Sequence, residues 1–222
     1  MAPDLKPNLA SLFKETRALI DRLRGLAPHR ELTYGESVQV ARVQASRLRM
    51  WVGGDELAIN LVWLLNQRAV PVQLVASHKL GEESGLTTNH IGGKLQVFIN
   101  ESEPHVRQRF SLLHEFKHVL DFEDADRLHA KLGSGNTHIQ HDAIERIANE
   151  FAAHVLMPTA LVKRHWFMTQ NKELMATMFN VSVEAMTMRL ERLGLIGQPK
   201  IKPRLYFRRS GVMSVVSLCP AA

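Results

Sequence analysis

The chain has 222 residues, 45% of them hydrophobic, and a formal net charge of +6. That is enough apolar material for a sizeable core in one or two domains. No stretch approaches the roughly 20 apolar residues of a membrane span, and the first residues lack a signal-peptide apolar centre. The single cysteine, Cys219, excludes an intramolecular disulfide and leads us to expect a reducing, cytoplasmic setting.

Residues 8–25 and about 36–50 show helical periodicity, with Ala27-Pro28 breaking between them. A helix is predicted over 55–68, Glu56 to Arg68, leading into a strand at Val70-Pro71-Val72-Gln73-Leu74-Val75. The Gly92-Gly93 turn opens a second strand, Leu95-Gln96-Val97-Phe98-Ile99. Ser102 followed by Glu103-Pro104 reads as a helix start. From there Val106, Phe110, Leu113, Phe116 and Leu120 recur at three- and four-residue spacing, with Leu112 and Val119 widening the stripe, so 103–122 is predicted as an amphipathic helix. Residues 123–141 are polar and predicted as a mobile loop bordering the site. Ile144, Ile147, Phe151 and Val155 stripe another helix that Met157-Pro158 ends, and 172–193 patterns as a helix-turn-helix-like pair with Ser182 capping its second helix.

The helix over 103–122 carries His114-Glu115-Phe116-Lys117-His118. Histidines four residues apart lie one turn apart on one face, so both can offer a ring nitrogen to a single Zn²⁺. Glu115, next to the first, can reach a water instead of the metal and act as general base. Chance alone would place such a pentapeptide in roughly 4% of chains of this composition, so its helical context matters. A catalytic zinc takes three protein ligands, and the third should come from a facing helix. Glu145 is the best candidate, because Ala148 and Ala152 beside it would allow close approach; the competing reading makes Asp142-x-x-Glu145 a capping box. Glu150 falls about 140° around the helix and is expected to face solvent. Candidate partners behind the ligand histidines are Asp121, Asp124 and the Asn149 amide. An oxyanion donor is expected among His129, His138, His141 and His154, with no choice possible between them; the two tyrosines, Tyr34 and Tyr206, lie far from the motifs.

Arg109-Phe110-Ser111-Leu112-Leu113-His114-Glu115-Phe116-Lys117-His118, followed by Glu145-Arg146-Ile147-Ala148-Asn149-Glu150-Phe151-Ala152-Ala153 and Leu156-Met157-Pro158, resembles the ImmA/IrrE family of bacterial metallopeptidases. Its first block reads R-F-S/T-L-x-H-E-x-x-H, and its second reads E-x-x-A-N-x-F-A-x-x-L-M-P. Phe179 to Leu195 is similar to the family's downstream F-G-V-S-x-x-A-x-x-x-R-L-x-x-L-G-L segment, and the resemblance covers about residues 60–195. Two positions depart from the pattern. Lys117 replaces a common glycine and is expected to snorkel outward; Asn180 replaces another and tolerates a left-handed turn.

The resemblance implies that Glu145 is the third zinc ligand. It implies a mainly helical α+β fold with a zincin-like catalytic core, a small sheet plus the HExxH helix and a following Glu-bearing helix, and a C-terminal helix-turn-helix-like pair. The expected division is an N-terminal helical segment at 1–54, the metallopeptidase core at 55–165, and the helical pair with a basic tail at 166–222. Substrate is expected along a strand edge beside the active-site helix, with Leu95–Ile99 as that strand. The implied function is a zinc-dependent endopeptidase that cuts a helix-turn-helix transcriptional repressor governing a stress response, a mobile element or a toxin–antitoxin pair. Mn²⁺ or Fe²⁺ could occupy the same donor set.

Two basic clusters invite a nucleic-acid reading: Arg42, Arg47 and Arg49, and Lys200, Lys202, Arg204, Arg208 and Arg209 interleaved with Tyr206 and Phe207. The second helix of the C-terminal pair offers only Arg189 and Arg192 for reading bases, so a solvated basic surface is the favoured interpretation. The alternatives to an enzyme are a DNA-binding regulator and a non-proteolytic anti-repressor, each with a structural zinc site.

Overall fold

The described chain opens with two long helices, α1 (Leu9–Arg24) and α2 (Tyr34–Val52). Thr33 starts α2 with a capping box: its hydroxyl accepts from the Glu36 N–H, and the Glu36 carboxylate accepts from the Thr33 N–H. The computed structural model describes residues 9–65, 70–80, 84–90 and 94–197. Cys219, the basic run from Lys200 to Arg209 and the Gly92-Gly93 turn lie outside these residues.

Of the helix predicted over 55–68, the described residues 55–65 are helical only in α3 (Val62–Leu65), and 66–68 lie outside the described residues. Ile59 and Leu61 are buried while Ala58 and Asn60 are exposed, a two-residue period that belongs to extended chain. Asn60 then turns the chain by accepting from the Val62 N–H.

Three strands follow: β1 (Val72–Val75), β2 (Gly85–His90) and β3 (Lys94–Asn100). Their order is β1-β3-β2, with β1 parallel and β2 antiparallel to β3. Leu95, Val97 and Ile99 alternate inward on β3 and are buried. The strand expected to receive substrate, Leu95–Ile99, is thus the centre of the sheet, with both edges already paired. Among the described residues the free edge beside the helix that carries His114 and His118 belongs to β2, whose Gly-Leu-Thr-Thr-Asn-His sequence lacks the apolar alternation by which strands are recognised.

The helix predicted over 103–122 appears as α4 (His105–Asp121). Pro104 occupies its N-cap, and Ser102 is not a cap; its N–H is turned to Asn100 Oδ1. At the other end Arg24 of α1 donates to the carbonyls of Val119 (2.9 Å) and Leu120 (3.2 Å), which a helix terminus otherwise leaves unpaired. Lys117 does not snorkel outward. Its side chain is 3% exposed and forms an ion pair with Asp121, which in turn bonds His129 Nε2 at 3.3 Å. Burial alone would raise the Asp121 carboxyl, but the Lys117 charge and hydrogen bonds from His129 and Lys117 hold it below its ordinary value.

The stretch predicted as a polar loop is largely ordered into turns. It contains a 3₁₀ turn at Phe122–Asp124, α5 (Ala125–Leu128), a second turn at Leu132–Gly135 and the start of α6 (Thr137–Leu156). Leu128, His129 and Leu132 are buried, so these turns have their own packed side. Gly133 has φ 73°, and a Cβ there would collide with the backbone of Gln140, so only glycine fits. Asn136 caps α6 by accepting from the N–H groups of His138 and Ile139. Because α6 begins at Thr137, Glu145 sits in its third turn, and the capping-box reading of Asp142-x-x-Glu145 does not hold.

Helix α6 packs between α4 and α2. Ala148 and Ala152 are buried on its α4 side, and Phe116 meets Trp63 edge-to-face and Phe151 at a tilt, with ring centroids 6.2 and 6.4 Å apart. Glu150, expected in solvent, is instead 8% exposed. Helix α2 covers that face of α6, and Arg42 bonds Glu150 at 2.9 Å. Arg49 is buried, donating to the Val155 carbonyl at 2.6 Å, so two of the three arginines in the first basic cluster bond α6.

The chain continues through α7 (Thr159–Thr169), α8 (Lys172–Phe179) and α9 (Val183–Arg192). Asn180 adopts the left-handed conformation at φ 52°, and Ser182 caps α9 through the Ala185 N–H. Arg189 is buried and donates to the Met157 carbonyl at 3.0 Å and the Thr159 hydroxyl at 3.1 Å, beside His154. Burial, and then the Arg189 charge, lower the His154 pKa to about 4.

Lys117→Met, which keeps the stem but strands Asp121, should lower stability by about 3 kcal/mol in urea unfolding; a loss under about 1 kcal/mol would place the ammonium in water. For His154, the unfolded chain takes up a proton below pH 6.5 while the folded chain resists until about pH 4. Its contribution is therefore full above pH 6.5 and falls by about 3 kcal/mol as pH drops to 4. His154→Asn, which retains an acceptor for Arg189 and cannot titrate, should flatten that part of the stability–pH curve.

Candidate metal centre

Helix α4 sets His114 and His118 one turn apart, with their Nε2 atoms 3.0 Å from each other. From α6, Glu145 places Oε2 3.0 Å from His114 Nε2 and Oε1 3.3 Å from His118 Nε2. Ligand atoms about 2.0–2.1 Å from a tetrahedral zinc stand about 3.3 Å apart, so the three atoms have the spacing and the N,N,O chemistry such an ion requires. They are the one cluster of this kind among the described residues. Hydrogen bonds from His114 and His118 hold the Glu145 carboxyl well below the usual carboxylate range. At His114 burial pulls the pKa down, but the Glu145 hydrogen bond and charge, with the Glu115 charge, outweigh it and leave the ring raised.

Asn149, one turn beyond Glu145 on α6, has Oδ1 3.0 Å from His114 Nδ1. An Nδ1–H directed at this acceptor fixes the ring's tautomer and leaves Nε2 for a metal. The other two residues expected behind the ligands have other partners, although Asp121 lines the same cleft as the ligands. Asp121 bonds Lys117 and His129, and Asp124 pairs with Arg127 at 2.5 Å.

Glu115 lines the same cleft as the ligand cluster and lies against the sheet. It is 7% exposed, and Oε2 accepts a hydrogen bond from the Thr87 hydroxyl at 2.6 Å. A Cβ on Gly85 would lie 3.0 Å from Glu115 Cγ and 3.1 Å from Oε1, so β2 and α4 meet here at close range. Gly85 and Thr87 give no sign of this role in the sequence, because the strand that carries them has no apolar alternation to reveal it.

A cleft of about 450 Å³ opens over these groups, with Leu86, Phe122, His129 and Ile144 in its walls. Of the four histidines considered as oxyanion donors, His129 and His141 line it. His154 sits with Arg189, and the His138 N–H belongs to the α6 cap. A larger cleft of about 650 Å³ lies between α4, α6 and α9 and contains none of the three ligand-type side chains.

A family model described as IrrE N-terminal-like domain, Peptidase_M78, matches residues 72–191. No curated protein matches the chain. Among solved structures, a Mycobacterium tuberculosis transcriptional regulator superimposes with a TM-score of 0.56 over 78% of this chain at 15% identity. The match covers 51% of that protein, so this chain spans about half its length, and the likeness is one of fold. With more than half of its residues inside the family match, and with that match spanning α4, α6 and the sheet between which the cleft forms, the chain belongs to the ImmA/IrrE family, Peptidase_M78.

Proposed function

We propose that this protein is a zinc-dependent endopeptidase. The reading is carried by one observation: two imidazole nitrogens and a carboxylate converge at metal-ligand spacing, with a second buried carboxylate beside them in an open cleft. His114, His118 and Glu145 hold the metal, and Asn149 orients His114. When bound, the ion supplies Lewis acidity toward the scissile carbonyl and acidifies water; Mn²⁺ or Fe²⁺ would fit the same donors less typically. Glu115 takes a proton from the attacking water and returns it to the leaving amine. The substrate main chain pairs with the free edge of β2, and Leu86 and Phe122 border the channel it would follow. The oxyanion donor is sought between His129 and His141, the two histidines in the cleft wall.

We take the substrate to be a helix-turn-helix transcriptional repressor, as the family resemblance implies, and the setting to be cytoplasmic. The Mycobacterium tuberculosis neighbour in fold space is itself named as a transcriptional regulator, which is compatible with that reading. We also keep the division into an N-terminal helical segment at 1–54, a core at 55–165 and a C-terminal part from 166. Direct DNA reading by α9 is disfavoured because Arg189 is spent on the carbonyl and hydroxyl of the α6–α7 junction. The rival reading is a regulator or non-proteolytic anti-repressor with structural zinc.

Mixing the zinc-loaded protein with the repressor encoded beside its gene should yield defined fragments by gel and mass spectrometry. Glu115→Gln should reduce cleavage by about 10²-fold or more while retaining one zinc per chain. An intact repressor held in a stable complex would favour the anti-repressor instead. Glu145→Ala should lose zinc under dialysis, read by atomic absorption; undiminished metal would remove Glu145 from the ligand set.

A further inference from the structure

The family reading assigns Glu115 its chemistry and is silent on what aims it. We propose that Thr87, with Gly85, is the positioning residue for the Glu115 carboxylate, on the same strand edge that receives the substrate; this rests on the endopeptidase reading above.

Three features of β2 converge on the point. The first is the hydrogen bond from the Thr87 hydroxyl to Glu115 Oε2 at 2.6 Å, the short length of a charge-assisted O–H···O⁻ contact. Threonine is β-branched and therefore stiff at χ1, so its hydroxyl is a fixed anchor. The second is Gly85, two residues earlier and on the same face. Its missing side chain leaves the space that the Glu115 Cγ and Oε1 occupy. Thr87 thus pins one carboxylate oxygen while Gly85 gives room to the other, which has no hydrogen bond to another described residue and is left to handle the proton.

The third is the register. The Asn100 N–H bonds the Ser84 carbonyl, and β2 pairs with β3 as Gly85↔Ile99, Leu86↔Phe98 and Thr87↔Val97. Hydrogen-bonded and non-hydrogen-bonded pairs alternate in an antiparallel ladder. The pairs at 84, 86 and 88 therefore bond inward to β3, and the main-chain N–H and C=O groups of Gly85 and Thr87 face the free edge. The two residues that hold Glu115 by their side-chain positions are then the two whose backbone is available to an added strand. A substrate paired there has its peptide groups registered to the base through a single residue.

The test compares Thr87→Val, which keeps the shape and removes the hydroxyl, with Thr87→Ser, which keeps the hydroxyl. In the zinc-loaded full chain with the repressor as substrate, Thr87→Val should lower kcat by about tenfold or more, with KM within about threefold of wild type and zinc content unchanged. Thr87→Ser should restore most of the rate. Equal kcat for Thr87→Val and wild type would overturn the proposal, as would a loss that Thr87→Ser fails to rescue. A second readout needs no cleavage. Urea midpoints of Thr87→Val, Glu115→Ala and the double variant, all zinc-loaded, should be non-additive, the double variant shifting by less than the two single shifts combined. Additive midpoints would overturn the contact itself. A wild-type protein that cuts no repressor but shows the coupling would leave Thr87 holding Glu115 and remove the endopeptidase reading alone.

Discussion

Everything at the centre depends on how closely α6 lies against α4. Each helix presents a pair of polar residues one turn apart, His114 and His118 on one and Glu145 and Asn149 on the other, and the pairs interlock. A carboxylate on a short glutamate stem reaches two imidazoles only if the backbones are near, and the face it leaves from is otherwise built of Ala148 and Ala152, both buried. A larger residue at either position would push the helices apart, and the distances of 3.0 and 3.3 Å would open together. The ligand geometry is therefore a consequence of side-chain volume as much as of ligand identity.

The same packing explains why so much charge is internal. Helix α6 is covered on one side by α4 and on another by α2, so polar residues that a single-helix projection sends to water meet protein instead. Glu150 receives Arg42 at 2.9 Å, with Arg189 and Arg192 at 3.8 and 3.6 Å. Lys117 turns to Asp121 and, through it, to His129. Buried pairs of this kind contribute modest net stability but are expensive to break on one side. They tie α2, α9 and the turns after α4 to the two metal-site helices without touching the ligands.

How much of this is legible in the chain follows from which signals are local. The helices at 105–121 and 137–156 announce themselves by period, and the His114–His118 spacing needs only the helix to be usable. Glu145 as a partner of His114 and His118 rests on the family resemblance as well as on its small neighbours, because no local rule says which helix faces which. The expectations that fail share a cause. Rules for isolated helices send Glu150, Lys117 and Arg49 to solvent, and tertiary neighbours overrule them. Strand β2 escapes notice because its residues gain their strand character from pairing with β3, not from their own alternation. The segment 55–61 patterns as helix in sequence, although the burial of its last residues alternates by two.

The place of β2 in the sheet has a chemical consequence, since the free edge beside α4 lies one strand away from β3. With β3 in the centre of the sheet, an added strand beside α4 bonds the outer edge of β2, and that is where the Glu115 carboxylate already rests against Gly85 and Thr87. The two halves of the cleft then have different origins. The metal half is set by two helices whose volume at alanine positions controls their separation. The base half is set by a strand whose register decides which backbone groups are free. Glu115 belongs to the first by sequence, lying next to His114, and to the second by contact. On the proposed reading, recognition along β2 can vary without disturbing how the ion is held, so long as the glycine and the hydroxyl that seat Glu115 are kept.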